Sequence, residues 1–322
     1  THRAIPHNLG RSGPRGLLGR SDEGPGFPCF ACAARTHYPT RPDAHLMMGT
    51  MILAPRRWSG RYTLQLGAVL AMACAIAPWP ARAQGAPGND ELAAQATDPT
   101  ASLMSFQLND WYTANFHGID DSLNQVVFRA AIPFALGDTR HIFRVTQPYV
   151  TSSPSGATGF ADTTIFDLVV FNQPWGRWGV GISGTLPTGQ DGLTTDQWTA
   201  GPALGFVNSS SKQYNWGLFA QSFFSFAGKD GAPDVGLINL QPIFSYQLGD
   251  GRSLSLGNSA FVYDTRNSRW ASLNLGVNYG QVVTFAGHKW RPNIEADYDF
   301  KDDYGNPKWT IRASIVLLLP TH

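Results

Sequence analysis

From about residue 103 onward, apolar and polar residues alternate with period two. The clearest stretch is 289–300. There Trp290, Pro292, Ile294, Ala296, Tyr298 and Phe300 alternate with Arg291, Asn293, Glu295, Asp297 and Asp299. Successive residues of a β-strand point to opposite faces, so this stretch is a strand with one apolar and one strongly polar face. In 177–186, Trp178, Val180, Ile182 and Leu186 alternate with Arg177, Gly179, Gly181, Ser183 and Thr185. In 198–207, Trp198, Ala200, Leu204 and Phe206 alternate with small residues, and Trp309, Ile311, Ala313, Ile315 and Leu317 repeat the pattern near the end.

The pattern predicts about twelve strands: 103–112, 123–134, 141–150, 160–171, 177–186, 198–207, 214–227, 235–248, 253–263, 270–285, 289–300 and 308–319. Short linkers (172–176, 249–252, 286–288) alternate with longer ones (113–122, 151–159, 187–197, 301–307). Gly, Pro, Asn and Asp dominate them, as turn geometry requires.

Two architectures use such strands. A soluble sandwich buries the apolar face. A transmembrane barrel turns it to lipid and lines its lumen with the polar face. Lipid offers no partner for backbone N–H and C=O groups, so only a closed sheet spans a membrane as β-structure. The alternation persists in nearly every strand, short turns alternate with long loops, and Trp111, Trp175, Trp178, Trp198, Trp216, Trp270, Trp290 and Trp309 lie near strand ends, where an interfacial girdle belongs. The expectation is an all-β fold: a closed antiparallel up-and-down transmembrane β-barrel of about twelve strands over 103–322. An even strand count returns both termini to the periplasm. One departure stands out. The last strand ends Leu317-Leu318-Leu319-Pro320-Thr321-His322, not in the aromatic residue that outer-membrane assembly machinery commonly reads.

Composition sharpens this picture once the chain is divided. The formal net charge is +1, but residues 1–83 hold ten Arg against Asp22, Glu23 and Asp43, a net +7. The remainder holds 14 basic and 20 acidic residues, a net −6, which argues against nucleic acid as a partner. Residues 1–47 are rich in Arg, Gly and Pro without hydrophobic period and read as a disordered or spurious leader. Residues 48–83 read as a signal peptide. Arg56, Arg57 and Arg61 precede an apolar run at 66–77, and Ala81-Arg82-Ala83 fits the cleavage pattern. Residues 84–102 are then a periplasmic lead-in, disordered or shortly helical. Cys29, Cys32 and Cys74 all precede the cleavage site, and Cys29-Phe-Ala-Cys32 has no second ligand pair. Export places the mature chain in the outer membrane of a Gram-negative bacterium.

Several ordered segments also resemble a known family. They are Pro99-Thr100-Ala101-Ser102-Leu103-Met104-Ser105-Phe106-Gln107, Arg129-Ala130-Ala131-Ile132-Pro133-Phe134, Ile142-Phe143-Arg144-Val145-Thr146-Gln147-Pro148, Trp175-Gly176-Arg177-Trp178-Gly179-Val180-Gly181, Leu186-Pro187-Thr188-Gly189, Gly201-Pro202-Ala203 and Ser225-Phe226-Ala227-Gly228. Over roughly 97–320 the chain resembles the bacterial family named for the meta-pathway of phenol degradation, a set of outer-membrane-barrel-like proteins. The resemblance implies a barrel that passes small molecules, aromatic or hydrophobic ones among them. It carries no catalytic motif.

Candidate chemistry lies on the polar faces. With apolar residues toward lipid, Arg129, Arg144, Asp167 and Arg177 are expected to face inward, as are Arg291, Glu295, Asp297, Asp299 and Arg312 on the last two strands. Opposed charges lining a pore set ion and solute preference; paired with each other they brace a narrow lumen instead. Phe219 and Phe223 are expected in the lumen, and Phe224 and Phe226 on lipid. His117 with Asp120 and Asp121 is the one loop with a hydrolase-like composition. His141 and His288 are expected to be solvated at periplasmic turns. No zinc spacing, phosphate loop or nucleophile elbow occurs, so no cofactor is expected. The expected partners are outer-membrane lipid, the assembly machinery and a small aromatic or hydrophobic solute. The function expected is a passive channel or uptake porin. The alternatives are a plugged structural barrel and an outer-membrane hydrolase.

Overall fold

The computed structural model describes residues 88–320. The leader, the signal peptide and the three cysteines lie outside the described residues. The chain enters through a short helix, α1 (Asn89–Gln95), and then builds an antiparallel sheet. Its long strands are β1 (Leu103–Phe116), β2 (Leu123–Leu136), β3 (Thr139–Ser152), β5 (Thr163–Gln173), β6 (Gly176–Leu186), β7 (Gln197–Asn208), β8 (Tyr214–Gly228) and β9 (Gly236–Gly249). A broken strand follows as β10 (Arg252–Ser255) and β11 (Ala260–Asp264). Next come β12 (Arg269–Gln281), continued by β13 (Val283–Phe285), then β14 (His288–Asp299) and β15 (Pro307–Pro320). The two-residue β4 (Gly159–Phe160) adds to β3 inside a loop.

Each strand pairs with the next in sequence, and β1 pairs with β15 from Leu103↔Pro320 to Phe116↔Pro307. That last pairing closes the ring. Counting β10–β11 and β12–β13 as one strand each, the described residues form a twelve-stranded up-and-down barrel, as the alternation predicts. Both ends of the described residues and the short turns lie at one rim, here called the turn end. The longer connections lie at the other, the loop end.

The outer face carries a band of exposed apolar side chains, among them Ile182, Leu204, Phe226, Val277 and Ile294. A soluble chain does not leave so continuous an apolar surface in water. The same band satisfies a bilayer, because the closed ring leaves no unpaired strand edge. Trp198, Trp216, Trp270 and Trp309 are exposed on it. Trp111 is a correction to the expected girdle. It shares a strand face with buried Asn109 and Thr113, so it points into the barrel.

Both rims are partly closed. At the turn end, Leu92 and Ala93 of α1 pack on Leu103, Val316, Leu318 and Val282. At the loop end, Leu193 and Ala161 fold back onto Phe116, Leu123 and Val150. Asp162 fastens that cover by accepting from the Gly189 N–H (3.0 Å), the Thr195 N–H (2.7 Å) and the Thr195 hydroxyl (2.8 Å).

Candidate functional site: a two-sided lumen

The inner wall is chemically divided. On the β3–β9 side, Ile142, Phe166, Leu168, Val170, Ala203, Val207, Phe219 and Ile243 form one buried apolar cluster. Phe166 of β5 meets Phe219 of β8 edge to face at 5.1 Å, although two strands separate them along the wall. They therefore touch across the interior. Gly205 makes room for this contact, because a Cβ there would stand 2.9 Å from the Phe219 ring. Phe219 and Phe223 are buried inside, while Phe224 and Phe226 are exposed outside.

The opposite side, from β10 to β15, is charged. Arg291, Glu295, Asp297 and Asp299 alternate along β14 and are all buried. Arg312 of β15 donates to Glu295 Oε1 at 2.8 Å and also pairs with Asp297. Register explains the geometry, since Glu295 lies directly opposite Arg312. Asp299 accepts from the Ser272 hydroxyl (2.6 Å) and the Leu273 N–H (2.8 Å). Arg291 donates to Ser253 Oγ (3.1 Å) and Asn278 Oδ1 (3.3 Å). Buried charges need such partners, because desolvation costs more than one ion pair returns.

Glu295 also organises the break between β10 and β11. The strand leaves the wall at Leu256 and resumes at Ala260, and the intervening turn buckles inward. The Asn258 N–H donates to Glu295 Oε1 at 2.8 Å, and the Asn258 side-chain amide donates to both carboxylate oxygens. Gly257 sits at φ +59° against the same carboxylate, where a Cβ would collide with it. Arg129 reaches across from β2 to donate to Asn258 Oδ1 at 3.2 Å. Sequence patterning misses Gly257, Asn258 and Asn278. The signal was present as a Gly-Asn-Ser run inside a strand pattern, which marks a bulge.

Arg129 and Arg312 flank Trp111, with guanidinium carbons 5.6 and 5.0 Å from the indole centroid. Arg144 lies 4.9 Å from the Phe166 ring. Such contacts hold a cation without neutralising it. Arg177 pairs at 2.5 Å with Asp98, in the segment that joins α1 to β1. A cavity of about 100 Å³ remains beneath that segment; Arg129, Arg144, Arg291 and Glu295 line it together with Asn278 and Ile243.

Eight of the nine sequence-selected charges thus lie on the inner wall. Asp167 does not, and this is a correction. Its neighbours Phe166, Leu168 and Val170 occupy the lumen cluster, so Asp167 faces outward, where it pairs with His141 at 2.8 Å. His141 is likewise not a solvated turn residue. Its side chain is 12% exposed and stacks on Phe134 at 4.9 Å. His117 contacts the Asp299 carbonyl oxygen through Nε2 at 3.0 Å and the Tyr298 ring edge-on. Its ring contacts are thus to β14, its backbone bonds to Gly305 and Asn306, and no bond joins it to Asp120 or Asp121 among the described residues.

No family model and no curated protein matches the chain. Among solved structures, it is similar to an outer membrane channel from Pseudomonas putida F1, with 13% identity and a TM-score of 0.48 over 76% of this chain and 100% of that one. It is similar to the NanC porin, with 9% identity and a TM-score of 0.48 over 66% and 100% of the two chains. It is also similar to outer membrane phospholipase A from Escherichia coli, with 12% identity and a TM-score of 0.41 over 72% and 98%.

Proposed function

We propose that the protein is an outer-membrane barrel that passes small molecules passively along the charged side of its lumen. The observation that carries this reading is the division of the inner wall. A barrel built only to be rigid has no need of a ladder of buried charge facing an apolar cluster around a cavity. A solute with an apolar ring and a polar substituent finds complementary groups around the cavity, apolar Ile243 and the cations of Arg129, Arg144 and Arg291. Small aromatic molecules are of that kind. The selectivity residues are Arg129, Arg144, Arg177, Arg291, Glu295, Asp297, Asp299 and Arg312, all inside the ring. The segment from α1 to Asp98 occupies the turn-end mouth, the periplasmic rim in this reading, and must shift for passage. Planar-bilayer recording with purified protein tests the proposal. Discrete conductance steps that change in ion preference on Arg144→Gln support it. A silent barrel that leaves solute uptake unchanged in cells sinks it.

A specific observation favours a second reading, a plugged structural barrel. The Phe166–Phe219 contact bridges the interior, and α1 is fastened at several points. Deletion of residues 88–98 separates the two, since it opens a gated channel and leaves a braced one closed.

A further inference from the structure

The outer face holds a constellation that the channel reading does not use. Thr139 and His141 lie two residues apart on β3, so both side chains point outward at the turn-end rim. Thr139 Oγ1 lies 2.9 Å from His141 Nε2, and His141 Nδ1 lies 2.8 Å from Asp167 Oδ2 on the neighbouring strand β5. Hydroxyl, imidazole and carboxylate thus stand in line, each within hydrogen-bond distance of the next. The His141 ring is held flat against Phe134, with an interplanar angle of 21°. Thr139 is exposed, and it borders a cleft of about 360 Å³ formed with Arg140, Val169, Phe171 and Gln173. The cleft arises because the β3–β5 pairing stops at Arg140↔Val170, while β5 continues to Gln173 paired with β6. Backbone N–H groups alternate in direction along a strand, so this overhang presents donors toward the cleft.

A polar carboxylate–imidazole–hydroxyl line on an apolar outer face costs free energy that a purely structural barrel has no reason to spend. We propose that Thr139, His141 and Asp167 form a nucleophilic triad that cleaves acyl esters of membrane lipid at this rim. Asp167 accepts a hydrogen bond from the Nδ1–H and fixes the tautomer, which leaves Nε2 unprotonated to act as base. Thr139 Oγ attacks the ester carbonyl carbon as its proton passes to His141 Nε2, and overhang N–H groups of β5 receive the oxyanion. The C–O ester bond then breaks, and the alcohol departs with the proton from Nε2. Water, activated by the same nitrogen, cleaves the acyl–threonine ester, releases the carboxylic acid and restores Thr139. The Thr139 hydroxyl also lies 2.7 Å from the Leu136 carbonyl oxygen, so its single proton must turn from that acceptor to His141 for attack.

The test uses full-length protein refolded into phosphatidylethanolamine vesicles, with fatty-acid release as one readout. The other is labelling by an alkyl fluorophosphonate, in which Thr139 Oγ forms the P–O bond and fluoride leaves. Wild-type protein is expected to release fatty acid and to carry the phosphonyl group on Thr139. Thr139→Ala and His141→Ala lower release by about 1,000-fold. Thr139→Ser retains both release and labelling, which separates a lost nucleophile from a disturbed rim. Asp167→Asn lowers kcat while leaving KM in place. The proposal is overturned if wild-type protein that migrates as a folded barrel neither releases fatty acid nor takes the label, or if Thr139→Ala releases it at the same rate. Conductance measured on the same samples tests the channel reading separately.

Discussion

Asp98 and Arg177 form an ion pair of 2.5 Å that ties the segment after α1 to strand β6. The Asp98 side chain is almost wholly buried, and its other oxygen accepts from the Thr100 N–H and hydroxyl. Residues 79 positions apart are thereby joined at the barrel mouth. Asp98→Ala leaves Arg177 without its carboxylate, and removing one partner of a buried pair costs about 3 kcal/mol. The docked segment bears that loss. The expected result is a higher open probability in planar bilayers and faster proteolysis near residue 98, with the barrel intact.

Glu295 is the acceptor for both the inward turn at Asn258 and the Arg312 guanidinium. Glu295→Gln removes the charge and keeps the size. The cavity then holds Arg129, Arg144 and Arg291 with no carboxylate among its lining residues. Reversal potentials in a salt gradient are expected to move toward anion preference. An unchanged potential would mean that permeating ions do not meet this wall.

Gly257 occupies the left-handed region at φ +59°, with the Glu295 carboxylate where a Cβ would lie. Gly257→Ala is expected to cost about 1–2 kcal/mol from backbone strain alone. It also pushes the turn off Glu295. Urea-induced unfolding from vesicles measures the loss, and a neutral result refutes the inward packing of this turn.

Phe219 and Phe166 are the largest side chains of the apolar cluster in the lumen. Phe219→Ala leaves a cavity and is expected to cost about 3–5 kcal/mol. It also widens the bore opposite the charged wall, so conductance rises as stability falls. Both changes are read on one preparation.

Ile182 is 68% exposed near the middle of β6 and faces away from the lumen. Placed in lipid, Ile182→Arg costs about 2–4 kcal/mol if the site lies near the bilayer midplane. A barrel in water would tolerate it. Folding yield into vesicles, read from heat-modifiable migration, separates the two environments.

Much of the barrel is legible in the alternation, because a strand exposes opposite faces to different solvents and its residues record both. Trp290 to Phe300 could be divided between lipid and lumen without coordinates, and the structure places them so. The reasoning fails where both faces are apolar. Along β5, Ile165, Asp167 and Val169 alternate with Phe166, Leu168 and Val170. Charge alone then put Asp167 inside, whereas packing of Phe166 against Phe219 put it outside. Trp111 misled for a related reason. A tryptophan near a strand end suits an interface, but this one is flanked by Arg129 and Arg312 within the ring.

The sequence by itself determined the strand number, the turn and loop rims and the face of most side chains. Those follow from local periodicity, which every residue carries with it. Only the tertiary structure decided what fills the lumen and what meets on the outer wall. The bridge from Phe166 to Phe219, the reach of Arg129 to Asn258 and the line from Thr139 through His141 to Asp167 join residues from different strands. Ring closure and register set those distances, and no local pattern encodes them.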